Sequence, residues 1–309
     1  MGGRDGDQVA ESFAKPEPRA LDAGAKQARA IPASAGMRRP LVNAALALPG
    51  VALLALFFAL PVLAVAVDAF SGRGAGFGRV FSTAGFWSSL AGSSVLTLVA
   101  ATLSTIVGVA VALHLSRLPT RRRTALSFVI ALPLTFSGLI VAYGFILGYG
   151  RAGFVTQLLA RAGLDAAVVG GALFTPTGLA FASSYYLIPR VVIGMLPVLV
   201  NFDRTQLAAA ESLGATAAQA FRQVLLPQVA APVVASFCLV AAVVFGAYGT
   251  ALALVGTQLP ILPLRLYSLV SETGSDFPAA AALALLITAV CSSMITVGEW
   301  VGTKHERHL

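Results

Sequence analysis

The chain has 309 residues, of which 57% are hydrophobic and 11% are charged, and its formal net charge is +8. A soluble domain carries roughly 25% charged residues, so this composition excludes an ordinary soluble enzyme. It also excludes a disulfide-stabilised scaffold, because the chain has only two cysteines. The positive charges lie between long apolar runs, which is typical of a polytopic membrane protein and not of a nucleic-acid-binding protein.

Six apolar runs are long enough to cross a hydrocarbon core, which takes about 20 helical residues. The sequence therefore predicts an all-α polytopic fold with six transmembrane helices. The predicted spans are residues 41–67, 90–115, 124–149, 170–200, 229–256 and 279–301. The fourth run is expected to be kinked or re-entrant at its start, because it contains Pro176, Pro189 and Pro197.

The segments outside the predicted spans differ in composition. Residues 1–40 are rich in Ala, Pro, Gly and charge, which predicts a disordered tail; they are too long for the charged start of a signal peptide. Residues 41–67 form the first transmembrane helix, and residues 90–301 form the membrane core with a polar loop at 201–227. Residues 302–309 are predicted to be a second polar tail.

The distribution of Lys and Arg predicts the orientation. In the loops and tails, 15 of these residues lie on the side that carries both termini and 5 lie on the other side. The positive-inside rule therefore places both termini in the cytoplasm. The loops on the other side are too short to fold as a ligand-binding domain, which usually takes at least about 50 residues.

The sequence contains no pattern for catalysis, metal binding or cofactor binding. None of the three lysines lies in a phosphate-binding loop, and the three histidines lack metal-ligand spacing. The acidic residues after the N-terminal tail lie in loops or near span ends, whereas ion-driven carriers usually keep an ionisable group inside the bilayer. We therefore predict that the chain is not an enzyme, has no cofactor, and depends on another subunit for energy.

The polar loop contains two helix-start signals and one helix-stop signal. Asp203 with Gln206, and Thr216 with Gln219, each fit a capping box, in which two side chains bond the first backbone N–H groups of a helix. Gly214 is predicted to end the first helix, because glycine adopts the left-handed conformation found just after helix ends.

The first predicted helix of the loop has an apolar stripe made by Leu207, Ala210 and Leu213. This helix is too short and too polar to cross a membrane. Two interpretations stay open from the pattern alone: a structural helical loop on the lipid headgroups, or a docking element for a cytoplasmic partner. Because membrane spans flank the loop on both sides, DNA binding by a helix-turn-helix is not expected.

The loop resembles the EAA signature of binding-protein-dependent ABC importer permeases. That signature has an E-A-A triplet before a glycine, followed at a fixed distance by an apolar residue, any residue, Leu and Pro. The residues that match are Ala209, Ala210, Gly214, Val224, Leu226 and Pro227. Ala208 stands where the family has glutamate, and Glu211 is the nearest acidic residue. The resemblance covers residues 90–301.

The resemblance implies a permease subunit of the bacterial inner membrane with a MetI-like fold. It implies coupling helices that bind a cytoplasmic ATP-hydrolysing subunit, present in two copies, together with a second permease and a periplasmic solute-binding protein. We expect the two permeases to form a heterodimer. The residues expected to contact the ATPase are Asp203, Leu207, Ala208, Ala209, Ala210, Glu211, Leu213, Gly214, Phe221, Val224, Leu226 and Pro227.

The solute is predicted from a second resemblance. Residues 183–194 and 245–264 are most similar to permeases of the polyamine, opine and phosphonate group, which implies a polyamine such as spermidine or putrescine. A phosphonate, another anion or another small solute is the alternative, and a self-contained carrier or channel is the alternative class. The residues predicted to line the pathway are Thr135, Tyr143, Ser184, Tyr185, Tyr248 and Thr250. Helix packing is the competing role for the hydroxyls in this set.

Overall fold

The computed structural model describes residues 48–271 and 276–306. The predicted disordered tail, the start of the first predicted span and residues 307–309 lie outside these ranges. The described chain is helical, and six helices are long and apolar enough to cross a membrane. We number these spans 1 to 6: Leu48–Gly72, Ala84–Ser116, Gly138–Arg161, Pro176–Asn201, Ala217–Phe245 and Phe277–Gly302. Span 3 consists of two helices, Gly138–Tyr149 and Phe154–Arg161. The prediction of an all-α fold with six spans is confirmed.

The chain divides into two compact units. Residues 48–62 belong to the first unit and are helical, with a five-residue π-helix at Ala55–Ala59. The second unit begins at Leu63 and contains the end of the first long helix and spans 2 to 6.

The third predicted span, 124–149, is wrong as one continuous helix. The structure divides this region into three elements: Thr120–Ala131, the 3₁₀ turn Leu132–Thr135 and Gly138–Tyr149. Pro133 lies in the turn and has no N–H to donate, so the first helix ends there. The hydroxyl of Ser137 then accepts a hydrogen bond from the Ile140 N–H at 3.4 Å, which starts the next helix.

The fourth predicted span begins six residues too early. A short helix, Ala166–Ala172, precedes it as a separate element. Span 4 then starts at Pro176, with the Thr175 hydroxyl accepting a hydrogen bond from the Gly178 N–H at 3.2 Å. Pro176 is thus the first residue of the helix, where a backbone N–H would have no partner within the helix. It therefore starts the helix and does not kink it.

Span 5 is displaced relative to its prediction of 229–256. It begins at Ala217 and ends at Phe245, and a separate short helix follows at Gly249–Val255. Near its start the helix widens into a π-helix at Phe221–Leu225, where the Leu226 N–H bonds the Phe221 carbonyl. Pro227, which cannot donate a backbone hydrogen bond, follows this wide turn.

The last helix is longer than expected at its C-terminal end. It runs over Phe277–Glu306, so residues 302–306, predicted to be part of a polar tail, continue the helix of span 6. Between spans 5 and 6 lies one more helix, Leu262–Ser271.

The core lies where spans 2, 4 and 5 meet. Leu187, Val191 and Met195 of span 4 are fully buried. Span 2 approaches span 4 closely at Gly108, where an added Cβ would lie 2.6 Å from the Cβ of Val191. Small residues let two membrane helices come this near, and Gly108 is required by space and not by backbone conformation.

Candidate functional site

The segment between spans 4 and 5 begins with a short helix, Thr205–Ser212, which we call the loop helix. The Asp203 carboxylate accepts a hydrogen bond from the Thr205 N–H at 2.9 Å, and this bond lowers the pKa of Asp203 below its ordinary value. The capping box predicted for Asp203 and Gln206 is absent, because Gln206 uses its side chain elsewhere. Its amide oxygen accepts a hydrogen bond from the Gln228 side chain at 2.6 Å.

Gly214 ends the loop helix as predicted. Its φ is +91°, in the left-handed region that favours glycine. The Gly214 N–H donates to the Glu211 carbonyl at 2.9 Å, and the Ala215 N–H donates to the Ala210 carbonyl at 3.1 Å. These two bonds form a Schellman motif, which satisfies the last carbonyls of the helix.

The second predicted capping box is confirmed. The Gln219 N–H donates to the Thr216 hydroxyl at 3.3 Å, and the Thr216 N–H donates to the Gln219 side chain at 2.8 Å. The helix that begins here is the first part of span 5, whereas the span was predicted to begin only at residue 229. The segment therefore contains one free-standing helix and one bend, followed directly by a span.

The predicted apolar stripe does not form a single face. Leu207 packs against the main core and Ala210 is half-buried. Leu213 points away from the protein and is 90% exposed, because it follows the last helical residue and no longer has helical ψ. The exposed residues of the helix itself include Ala208, Ala209 and Glu211. The surface open to a partner is thus this exposed set together with Leu213.

The start of span 5 continues the same exposed surface. Phe221 and Leu226 are exposed, Pro227 is exposed, and Val224 is half-buried. The apolar side chains expected to contact a partner are therefore largely accessible, whether they precede or follow the Gly214 bend.

Two side-chain links attach the loop helix to spans other than span 4. The Arg204 guanidinium donates to the Ser116 carbonyl at 3.1 Å and to the Ser116 hydroxyl at 3.3 Å, at the end of span 2. The Gln206–Gln228 bond connects the loop helix to span 5. Neither link could be predicted from the sequence, because the two bonded residues lie 88 positions apart in one link and 22 in the other.

A cavity of about 380 Å³ lies between spans 3 and 4 and is open on one side. Aromatic rings dominate its wall, and none of its described lining residues is charged. The lining residues are Phe136, Ile140, Val141, Gly144, Phe145, Tyr149 and Tyr185. Phe145 stacks on Tyr149 with ring centroids 5.6 Å apart and meets Tyr185 edge-on at 5.8 Å. The i, i+4 spacing of Phe145 and Tyr149 was a sequence signal for this wall.

The six predicted pathway residues make different contacts. Tyr185 lines the aromatic cavity, and Tyr143 is exposed on the same span as the cavity wall without lining it. The Thr135 hydroxyl donates to the Leu132 carbonyl at 2.7 Å within the 3₁₀ turn. Tyr248 lies beside Tyr267, with ring centroids 5.5 Å apart.

Ser184 and Thr250 are buried between helices. The Ser184 hydroxyl bonds the Ala180 carbonyl at 2.9 Å and lies 3.4 Å from the Ser104 hydroxyl of span 2. The Thr250 hydroxyl donates to the Gly138 carbonyl at 3.1 Å. Both hydroxyls thus have hydrogen-bond partners inside the protein, and their place in the pathway stays a prediction.

The opposite end of the second unit carries an ion pair. Arg79 donates two hydrogen bonds to the Asp276 carboxylate, one at 2.8 Å, and Asp276 also accepts from the Ala279 N–H at the start of span 6. The Arg79 guanidinium lowers the pKa of Asp276. Across residues 48–271 and 276–306, no group of three or more His, Cys, Asp and Glu residues is arranged to hold a metal ion.

Residues 104–308 match the family described as "Binding-protein-dependent transport system inner membrane component". Among curated relatives, the chain is 28% identical to the chloroplastic sulfate permease 2 of Chlamydomonas reinhardtii, over 87% of this chain and 69% of that protein. It is 28% identical to the sulfate transport system permease protein CysW of Synechocystis, over 75% of this chain and 84% of that protein. It is 25% identical to the spermidine/putrescine transport system permease protein PotB of Escherichia coli, over 65% of this chain and 73% of that protein.

Two solved structures share the fold. One is a bacterial alginate ABC transporter in complex with an alginate pentasaccharide-bound periplasmic protein, with a TM-score of 0.64 and 17% identity over 85% of this chain and 94% of that chain. The other is a bacterial ABC transporter involved in alginate import, with a TM-score of 0.64 and 18% identity over 87% and 97%. At this identity the likeness shows the architecture alone.

Proposed function

The chain belongs to the family of binding-protein-dependent transport system inner membrane components, and from that premise we propose how it works. It is the permease subunit of an ATP-driven importer of a small solute. Two cytoplasmic ATPase subunits power it, a second and different permease completes the membrane part, and a periplasmic binding protein delivers the solute. Family membership favours this assembly over a self-contained carrier or channel.

We propose that the ATPase binds the loop helix and the Gly214 bend. Leu213 supports this, since a leucine that is 90% exposed is free to enter a pocket of a partner. Ala208 and Ala209 leave the neighbouring helix surface flat, so a groove can approach the backbone. Ala208 replaces the glutamate of the signature, and Glu211 lies on the exposed surface of the same helix.

We propose that the loop helix and both termini lie in the cytoplasm. The excess of Lys and Arg on that side supports this orientation. A reporter that is active only in the periplasm should be silent when fused after Leu309 and active when inserted near Gly274, a position outside the described residues. The reverse pattern would contradict the orientation and would also place the loop helix away from any cytoplasmic ATPase.

We propose a polyamine as the solute, and the aromatic cavity is the observation that carries this proposal. Its wall includes the rings of Phe145, Tyr149 and Tyr185, and no positively charged side chain. Ammonium groups bind aromatic faces with about 0.5–2 kcal/mol each, whereas an anion needs donors such as guanidinium groups. Sulfate, phosphonate or another anion is therefore the second candidate, although sulfate permeases are among the relatives.

The test is transport by the reconstituted complex. The chain should be produced together with its ATPase, second permease and binding protein, and the complex placed in liposomes. Uptake of labelled spermidine or putrescine should require both ATP and the binding protein, while sulfate and a phosphonate should not be taken up. Uptake of sulfate alone would overturn the polyamine proposal, and uptake by this chain without ATP would overturn the importer.

A further inference from the structure

We infer that the Gln206–Gln228 hydrogen bond is a strut that makes the loop helix and span 5 move as one body. This inference rests on the proposed function, in which the loop helix receives the force of the ATPase. Gln206 and Gln228 act here as positioning residues, because neither needs to touch the solute or the ATPase.

The strut closes a triangle. The loop helix is one side, and it meets the first turns of span 5 at the bend around Gly214. From Ala217 to Gln228 the second side is about 17 Å long at 1.5 Å per residue. The Gln228 amide donates to the Gln206 side-chain oxygen at 2.6 Å and joins the two sides across the opening of the bend.

The bend at Gly214 is less well supported without this third side. No atom lies within 4 Å of an added Cβ at Gly214, so that side of the bend is open. A push on the loop helix would then change the angle at Gly214 as well as moving span 5. A closed triangle cannot change that angle without breaking the bond, so the displacement passes into the span.

The Arg204–Ser116 link makes a second attachment, on a different span. Its donor is charged, and it bonds two oxygens at the end of span 2, at 3.1 and 3.3 Å. Span 2 packs against both span 4 and span 5 in the core. The loop helix therefore connects to span 4 through the chain, to span 5 through the strut and to span 2 through Arg204.

The experiment compares Gln206→Leu and Gln228→Leu with Gln223→Leu in the full complex. Gln223 is an exposed glutamine five residues before Gln228 and has no side-chain hydrogen bond, so it is a matched control. We expect both strut variants to capture the ATPase as wild type does but to take up about fivefold less solute per ATP hydrolysed, the factor that corresponds to ~1 kcal/mol for one hydrogen bond. The control should be unchanged.

A rescue variant and a second measurement separate the strut from a general loss of fold. The pair Gln206→Glu with Gln228→Lys restores a link and should restore the uptake per ATP. In the isolated chain, backbone amides of the loop helix should exchange hydrogen faster in each Leu variant and return to the wild-type rate in the pair. Wild-type coupling and exchange in both Leu variants would overturn the strut and leave the proposed function standing. Failure of the wild-type chain to capture any ATPase would instead overturn the proposed function.

Discussion

Replacing Gly214 by valine should uncouple the chain from its ATPase without disturbing the membrane spans. Gly214 has a φ of +91°, where an L-residue with a β-branched side chain is strained. An added Cβ would meet no atom within 4 Å, so no collision with a neighbour adds to the cost. The penalty is therefore that of the backbone alone, about 1–2 kcal/mol.

This penalty acts on the bend and not on the spans. A cost of about 1–2 kcal/mol lowers the population of the native bend by a factor of roughly 5–30. The Schellman bonds of Gly214 and Ala215 would be lost in the alternative conformation, and Leu213 would change its direction. Membrane insertion should stay at the wild-type level, because it depends on the apolar spans.

The assay is co-purification of the ATPase together with solute uptake. Gly214→Val should reduce both by about the population factor, whereas Gly214→Asn should lose much less, since asparagine tolerates the left-handed conformation. Insertion measured by the yield of folded chain in the membrane should not separate the two variants. If Gly214→Val captured the ATPase and transported solute like wild type, the bend would have no part in coupling, and the loop would be a structural element on the headgroups.

Leu213→Asp should weaken ATPase capture about 10- to 100-fold in a pull-down titration, since burying a leucine is worth about 1.5–3 kcal/mol; unchanged capture would show that Leu213 stays outside the interface. Gly108→Ala should destabilise the folded chain in detergent by about 1–3 kcal/mol through overpacking against span 4, while Gly148→Ala, with no atom within 4 Å of its added Cβ, should not; equal melting temperatures would refute the close contact. Asp276→Asn should lower the melting temperature of the folded chain at pH 7. The hydrogen bond from Arg79 lowers the pKa of Asp276, so the ion pair is fully formed at any pH above the ordinary pKa of aspartate. That difference should begin to shrink as the pH falls below about 4, and it should vanish only below the lowered pKa of Asp276 in the folded chain, where the carboxyl group becomes protonated. A difference that remains once the carboxyl group is protonated would show that the ion pair is not its cause.

The number of spans could be predicted from the sequence because apolar length alone determines it. The span boundaries could not, because they depend on local hydrogen bonds. Thr175 starts span 4 just before Pro176, and Thr216 starts span 5 well before its apolar run. Within an apolar run of 26 to 31 residues, hydropathy does not show where one helix ends and the next begins. The hydrogen bonds of the capping hydroxyls show it.

The loop shows the same division between local and distant interactions. Gly214 and the Thr216 capping box were predictable because their partners lie within five residues. The role of Gln206 could not be predicted. Its side chain can cap the loop helix or bond a residue of span 5, and sequence spacing does not distinguish the two. The sequence spacing of Leu213 fits the helical repeat, but Leu213 follows the last helical residue. The Schellman turn therefore determines where its side chain points.

The π-helix at Phe221–Leu225 fixes the rotation of the loop helix about the axis of span 5. A π-turn holds one residue more than an α-turn, and each residue of an α-helix accounts for about 100° of rotation. Deleting one residue from this stretch would let it revert to α-helix and would swing everything before it by about a quarter of a circle. Gln206 would then face away from Gln228 while every membrane-embedded contact of span 5 stayed in place. The number of residues in this stretch is therefore constrained by the position of the strut.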